Sequence, residues 1–179
     1  MEVRQGAGVM LDVPYYSQFV EISDAYWQSR ACAIACLKMV LDYYGKVAPS
    51  LYEMVIRGKD EGGHTQSGWL HDYSLKVAAQ HGLHAERQEK MEVTRSLLEF
   101  KARLSAKEPV IVSVFRNFSE KTKFHQVVLV GFAEENGTLS GFYVHDPDAK
   151  DTESRKGLFV PLPTFVDNWR KMAIFISKK

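Results

Sequence analysis

His125-Gln126-Val127-Val128-Leu129-Val130-Gly131-Phe132-Ala133, Glu134-Glu135-Asn136-Gly137 and Thr138-Leu139-Ser140-Gly141-Phe142-Tyr143-Val144-His145-Asp146 form the stretch on which the fold turns. Two apolar runs flank Asn136-Gly137. Asn-Gly between such runs is a hairpin signal, because a tight two-residue turn needs positive φ at its centre. The runs therefore predict antiparallel neighbours. Just upstream, Val110-Ile111-Val112-Ser113-Val114-Phe115 is β-branched and apolar and reads as another strand. Residues 158–160 and 173–177 read as two more, around a short helix near 164–169. Upstream of Pro109 the period is helical. Ala33, Leu37, Val40, Leu41 and Tyr44 recur at helical spacing over 31–44, with Ser29 placed to cap the start and Gly45 to end it. Further helices are expected at 50–57, at 69–81 before Gly82, and after Thr94 with Leu97, Leu98, Lys101 and Leu104 along it. Residues 11–18 read as a short strand or extended arm, and 19–30 and the Gly-rich 61–68 as loops. Helices first and an antiparallel sheet second is the segregation of an α+β fold, the N-terminal helices packed on the C-terminal sheet.

The 179 residues show no repeat and no linker, so one domain over 1–179 is expected. Lys and Arg number 23 against 22 Asp and Glu, a net charge of +1, and the cations show no patch along the chain. That balance argues against nucleic acid as the main partner. The longest apolar run, 127–133, is far short of the ~20 residues needed to span a bilayer. Met1-Glu2-Val3-Arg4 lacks the apolar stretch of a secretion signal, so the chain as given reads as cytoplasmic, or secreted if an upstream signal was trimmed. Gly62, Gly63 and Gly68 lack the strand and the Gly-Lys-Ser/Thr ending of a phosphate loop. The two cysteines, Cys32 and Cys36, are too few for a disulfide framework and have no His partners at zinc spacing, so no metal or cofactor is expected.

Cys32 falls in the first turn of the 31–44 helix, where free N–H groups and the helix dipole favour a thiolate. Cys36, one turn further in, reads as a core residue. A nucleophilic thiol needs a base. If the hairpin loop is the four residues 134–137, Ala133 pairs with Thr138 and His125 lies opposite Asp146, which can then fix the imidazole tautomer. A two-residue loop moves the partner to Asp148 on the same face, and His145 points away in either register. His64 could border a cleft. His71, His81 and His84 read as surface groups, and Trp27, Trp69 and Trp169 as packing residues.

The motifs Val13-Pro14-Tyr15-Tyr16-Ser17-Gln18, Cys32-Ala33-Ile34-Ala35-Cys36-Leu37, His125-Gln126-Val127-Val128-Leu129-Val130-Gly131 and Asp146-Pro147 occur in that order. Together they resemble a papain-like cysteine peptidase. The similarity is greatest to the bacteriocin-processing branch that cuts after double-glycine leaders, cysteine-peptidase family thirty-nine, and to its stand-alone members. The resemblance implies a papain-like fold and a peptide or protein substrate. It also implies Cys32 as nucleophile, His125 as base and acid, Asp146 as orienter, and Gln18 with the Cys32 N–H as oxyanion donors. Ala33 stands where the family usually has Gly, and Gln18 and Cys32 are 14 residues apart, which points to the stand-alone branch. The expected activity is cleavage of a peptide or amide bond through an acyl-enzyme. Acyl transfer by the same groups and an idle peptide-binding module are the alternatives. Oligomeric state is not legible.

Overall fold

The structure is a computed structural model describing residues 5–179. It opens with strand β1 (Gln5–Met10), followed by two single-turn helices, α1 (Gln18–Glu21) and α2 (Ala25–Gln28). The central helix α3 (Cys32–Tyr43), α4 (Leu51–Asp60), a two-rung hairpin β2 (His64–Thr65) and β3 (Gly68–Trp69), and α5 (His71–Gln80) follow. Then come β4 (Leu83–Gln88), α6 (Val93–Ser105), β5 (Val110–Arg116), β6 (Glu120–Glu135), β7 (Thr138–His145), β8 (Leu158–Pro161), α7 (Leu162–Asn168) and β9 (Trp169–Lys178). Seven strands form one sheet in the order β4-β9-β5-β6-β7-β8, with β1 added to β6. All its pairings are antiparallel. The architecture is α+β, as the segregation of helical and strand signals predicts.

Helix α3 is apolar all round, and every residue from Ala33 to Leu41 is buried. A helix with that pattern belongs inside a fold, not on its surface, and α3 packs on β6. Even Lys38 is buried, with Nζ donating to Asp42 (3.1 Å) and to the carbonyl of Pro49 (2.9 Å). Ser29 does not cap this helix: the N-cap is Ala31, with no side-chain cap bond. No side chain therefore caps the N–H groups at the start of α3.

Several segments differ from the sequence expectation. Residues 11–17 hold no strand, and the strand of this region is β1. Residues 19–30 contain most of α1 and all of α2. Asp24 and Ser17 cap these single turns with their own side chains, a signal too short for periodicity to show. The Gly-rich 61–68 segment holds β2 and the start of β3. Strand β4, Leu-His-Ala-Glu-Arg-Gln, is half-polar because it sits at the sheet edge, paired only with β9.

The β6–β7 register corrects the four-residue loop. Glu135 pairs with Thr138, so Asn136-Gly137 alone make the turn, both at positive φ. Two bulges then follow, with Ser140 extra on β7 and Val130 extra on β6, and they cancel, so that Val128 pairs with His145. β7 ends there, and Asp146 lies one residue beyond it. On β6, a Cβ at Gly131 would run into the carbonyl oxygen of Val9, where β1 crosses close.

Candidate active site

Cys32, the first residue of α3, is partly exposed. The His125 ring and the backbone N–H groups of Gln126 and Ala33 lie near enough to its thiol to favour the thiolate. His125 is buried on β6 opposite Val114 of β5. Its Nε2 lies 2.6 Å from Asp146 Oδ1, which leaves Nδ1 for the thiol. Asp146 reaches His125 from the residue just past the strand, not from a directly opposed rung. Asp148, the partner a two-residue turn implies, instead binds Arg116. Asp146 Oδ1 also accepts from the Asp148 N–H (2.9 Å), and Oδ2 accepts from Arg155 Nη1 (2.7 Å).

The electrostatics follow from these contacts. Burial disfavours charge on all three groups. At Cys32 the hydrogen bond and positive charge of His125 outweigh burial and lower the thiol pKa. At His125 the same burial is overcome by Asp146 and Cys32, which raise the imidazole to about 10. Asp146 is held down at about 2, against burial, by the His125 hydrogen bond and charge, then by the Asp148 N–H and Arg155. A thiolate–imidazolium pair backed by a carboxylate is the protonation state these shifts favour. Cys36, fully buried, is pushed well above the ordinary thiol value.

Gln18 starts α1 and is buried. Its backbone N–H donates to the carbonyl of Pro147 (2.9 Å), which sets it against the Asp146 segment. Its Nε2 donates to the carbonyl of Gln28 (2.6 Å), while Oε1 has no partner. His145, facing away, is a neutral tether: Nε2 donates to the Val13 carbonyl (2.8 Å), and Nδ1 accepts from the Gly157 N–H (2.9 Å).

Cys32 and His125 open into a cleft of about 1160 Å³. Its helix-side wall is aromatic. His64 packs edge-on to Trp27 (5.0 Å between centroids) and to Trp69 (5.1 Å), and Trp69 Nε1 donates to the Arg30 carbonyl (2.6 Å). The segment read as a loop thus builds a wall, and Trp27 and Trp69 line the cleft besides packing. Reading the sequence also missed Arg155, whose pairing with Asp146 has no local signal. Among the described residues no group of three or more His, Cys, Asp or Glu side chains could hold a metal. Nor, among them, is any helix long and apolar enough to cross a membrane.

A family model described as Peptidase C39-like matches residues 10–174. Among solved structures, a protein described as a C39-like peptidase from Bacillus anthracis superposes with TM-score 0.69 at 18% identity, covering 97% of this chain and 99% of that one. A double glycine motif protease from an AMS/PCAT transporter, in complex with its leader peptide, gives 0.61 at 20% identity over 96% and 95%. The peptidase domain of Streptococcus ComA gives 0.60 at 20% identity over 84% and 93%. At these identities the superpositions establish the fold. A search of curated proteins found no match.

Proposed function

From the premise that the chain belongs to the Peptidase C39-like family, we propose that it is a cysteine peptidase acting on a peptide substrate through an acyl-enzyme. The observation that carries this reading is the Cys32–His125–Asp146 line of contacts at the floor of an open cleft. The Cys32 thiolate attacks the scissile carbonyl carbon, and a C–S bond forms. The developing oxyanion is met by the Cys32 N–H at the uncapped helix start and by the Gln18 amide, using the N–H not spent on the Gln28 carbonyl. The C–N bond breaks as His125 passes its proton to the leaving amine. Water then gives a proton back to His125 as its oxygen attacks the acyl carbon. The C–S bond breaks, releasing the carboxyl product and restoring the ion pair. Asp146 keeps the imidazole in one tautomer and orientation throughout.

The test is selective alkylation at pH 6 with iodoacetamide, read site by site by mass spectrometry. Only a thiolate attacks, so Cys32 should modify far faster than Cys36. Equal rates at the two cysteines, both rising only above pH 8, would remove the nucleophile. A companion measurement follows Gln18→Ala, expected to lower turnover ~10²-fold with little change in KM.

A further inference from the structure

Among the described residues, the cleft beside Cys32 is lined by Arg30, Lys59 and Arg170 and by no Asp or Glu, although Lys59 pairs with Asp60 (3.5 Å) just outside it. These cations lie far apart in sequence, which is why the chain read linearly shows no patch. The Cys32–His125 ion pair adds no net charge, so in a protein with a net charge of +1 these cations leave the cleft net positive, and such a cleft focuses its field on whatever enters.

Arg170 is the best placed of the three. β9 sets three residues, 170–172, against the single Ser113 of β5, since Val112 pairs with Ala173 and Val114 with Trp169. Lys171 adopts positive φ inside this bulge. Bulges re-aim side chains and are frequent beside active sites. Here the bulge lays the Arg170 guanidinium 3.4 Å over the Phe124 ring, with Nη1 donating to Ser113 Oγ (2.9 Å). Among the described residues no carboxylate pairs with it. Partial burial without an anion lowers its pKa. A guanidinium has five N–H donors, and one is spoken for. A half-buried cation held rigid by stacking, lacking a counter-charge and lining a substrate cleft, is a preorganised carboxylate receptor. On the helix side, Arg30 is likewise without a carboxylate among the described residues, its guanidinium 4.2 Å over the Tyr26 ring.

We infer that the cleft selects an anionic peptide segment, with Arg170 binding a substrate carboxylate close to the cleaved bond and Arg30 adding to the field from the helix side. The inference rests on the peptidase reading for its link to cleavage, but the binding half stands without it. The carboxylate can come from an Asp or Glu side chain or from a free peptide C-terminus.

Two experiments separate these points. The first needs no catalysis: binding of fluorescein-labelled hexaglutamate and hexaglutamine to the Cys32→Ala protein, followed by anisotropy. Hexaglutamate should bind at least about 10-fold more tightly, and Arg170→Gln on that background should remove most of the difference while Arg170→Lys keeps part of it. Equal affinities for the two peptides, or a difference indifferent to Arg170→Gln in a protein that still folds by circular dichroism, would overturn the inference. The second exposes the active protein to tryptic peptides of a bacterial proteome and reads new termini by mass spectrometry. Asp or Glu should be enriched at one fixed position from the cut, and Arg170→Gln should abolish the enrichment. Resynthesis of a good substrate with an amidated C-terminus, and with Gln for its Glu, tells which carboxylate is bound. Cleavage without any acidic preference would overturn the specificity and leave the peptidase reading standing. Hexaglutamate binding without any cleavage would do the reverse.

Discussion

In the proposed mechanism, removing the His125 imidazole takes away both the charge that holds Cys32 as thiolate and the acid that protonates the leaving amine. His125→Ala should lower kcat/KM by ~10³-fold or more, and Asp146→Ala should cost less, because Asp146 orients the ring and transfers no proton. Steady-state kinetics on one peptide substrate checks the order, and a larger loss for Asp146→Ala would contradict it. Asp146 also ties stability to pH. Its folded pKa of about 2 lies below the ordinary 3.8, so the unfolded chain binds the proton more readily. The stabilisation is complete above the unfolded value and is lost as pH falls through about 2. The shift corresponds to about 2 kcal/mol. Denaturant midpoints measured from pH 5 down to pH 2 should fall more steeply in the wild type than in Asp146→Asn. That Cys32, His125 and Asp146 would meet was legible in the sequence, because the chemistry restricts which residue types can serve and their elements could be placed. The candidacy of Gln18 came only from the resemblance, and a Gln at the start of a four-residue helix carries no signal of its own. Arg155 and Arg170 were not legible, since each is defined by a partner more than eight positions away or by a bulge.

At the scale of elements, the β6–β7 hairpin does most to place the site, and its register depends on close backbone approach. Gly131→Ala puts a methyl group against the Val9 carbonyl. A backbone clash cannot be relieved by turning a side chain, so β1 or β6 must shift, at a cost of about 2 kcal/mol. The denaturant midpoint measures it, and an unchanged midpoint would mean that β1 does not press on β6. The hairpin itself was plain in the sequence from Asn136-Gly137 and its apolar flanks. Its bulges were not, because Val130 and Ser140 look like ordinary strand residues and their shifts cancel along the ladder. Strand β4 escaped notice for a related reason. An edge strand has no second neighbour to demand apolar alternation, and its polar residues resembled a connection.

At the scale of the whole molecule, the segment 13–18 is stitched to 145–149. Tyr15 Oη donates to the Asp146 carbonyl (2.8 Å), the Gln18 N–H donates to Pro147, Ser17 Oγ bonds the Ala149 carbonyl, and Val13 receives His145. These partners stand 129 to 132 positions apart in the chain. The arm leaves the ribosome well before the residues that anchor it are made, roughly ten seconds later at ordinary elongation speeds. During that interval Tyr15, Ser17 and Gln18 have no 146–149 segment to dock on, and the loop to be closed is among the longest the molecule contains. Nascent chains arrested before residue 145 should therefore be cut by protease between residues 11 and 18, and the same bonds should resist cleavage once the chain is complete. Protection of the arm in the shorter chains would show that α3, through the Tyr16–Asp42 bond, holds it unaided. Otherwise the arm, and Gln18 with it, gains its anchor only after residues 145–149 have been made.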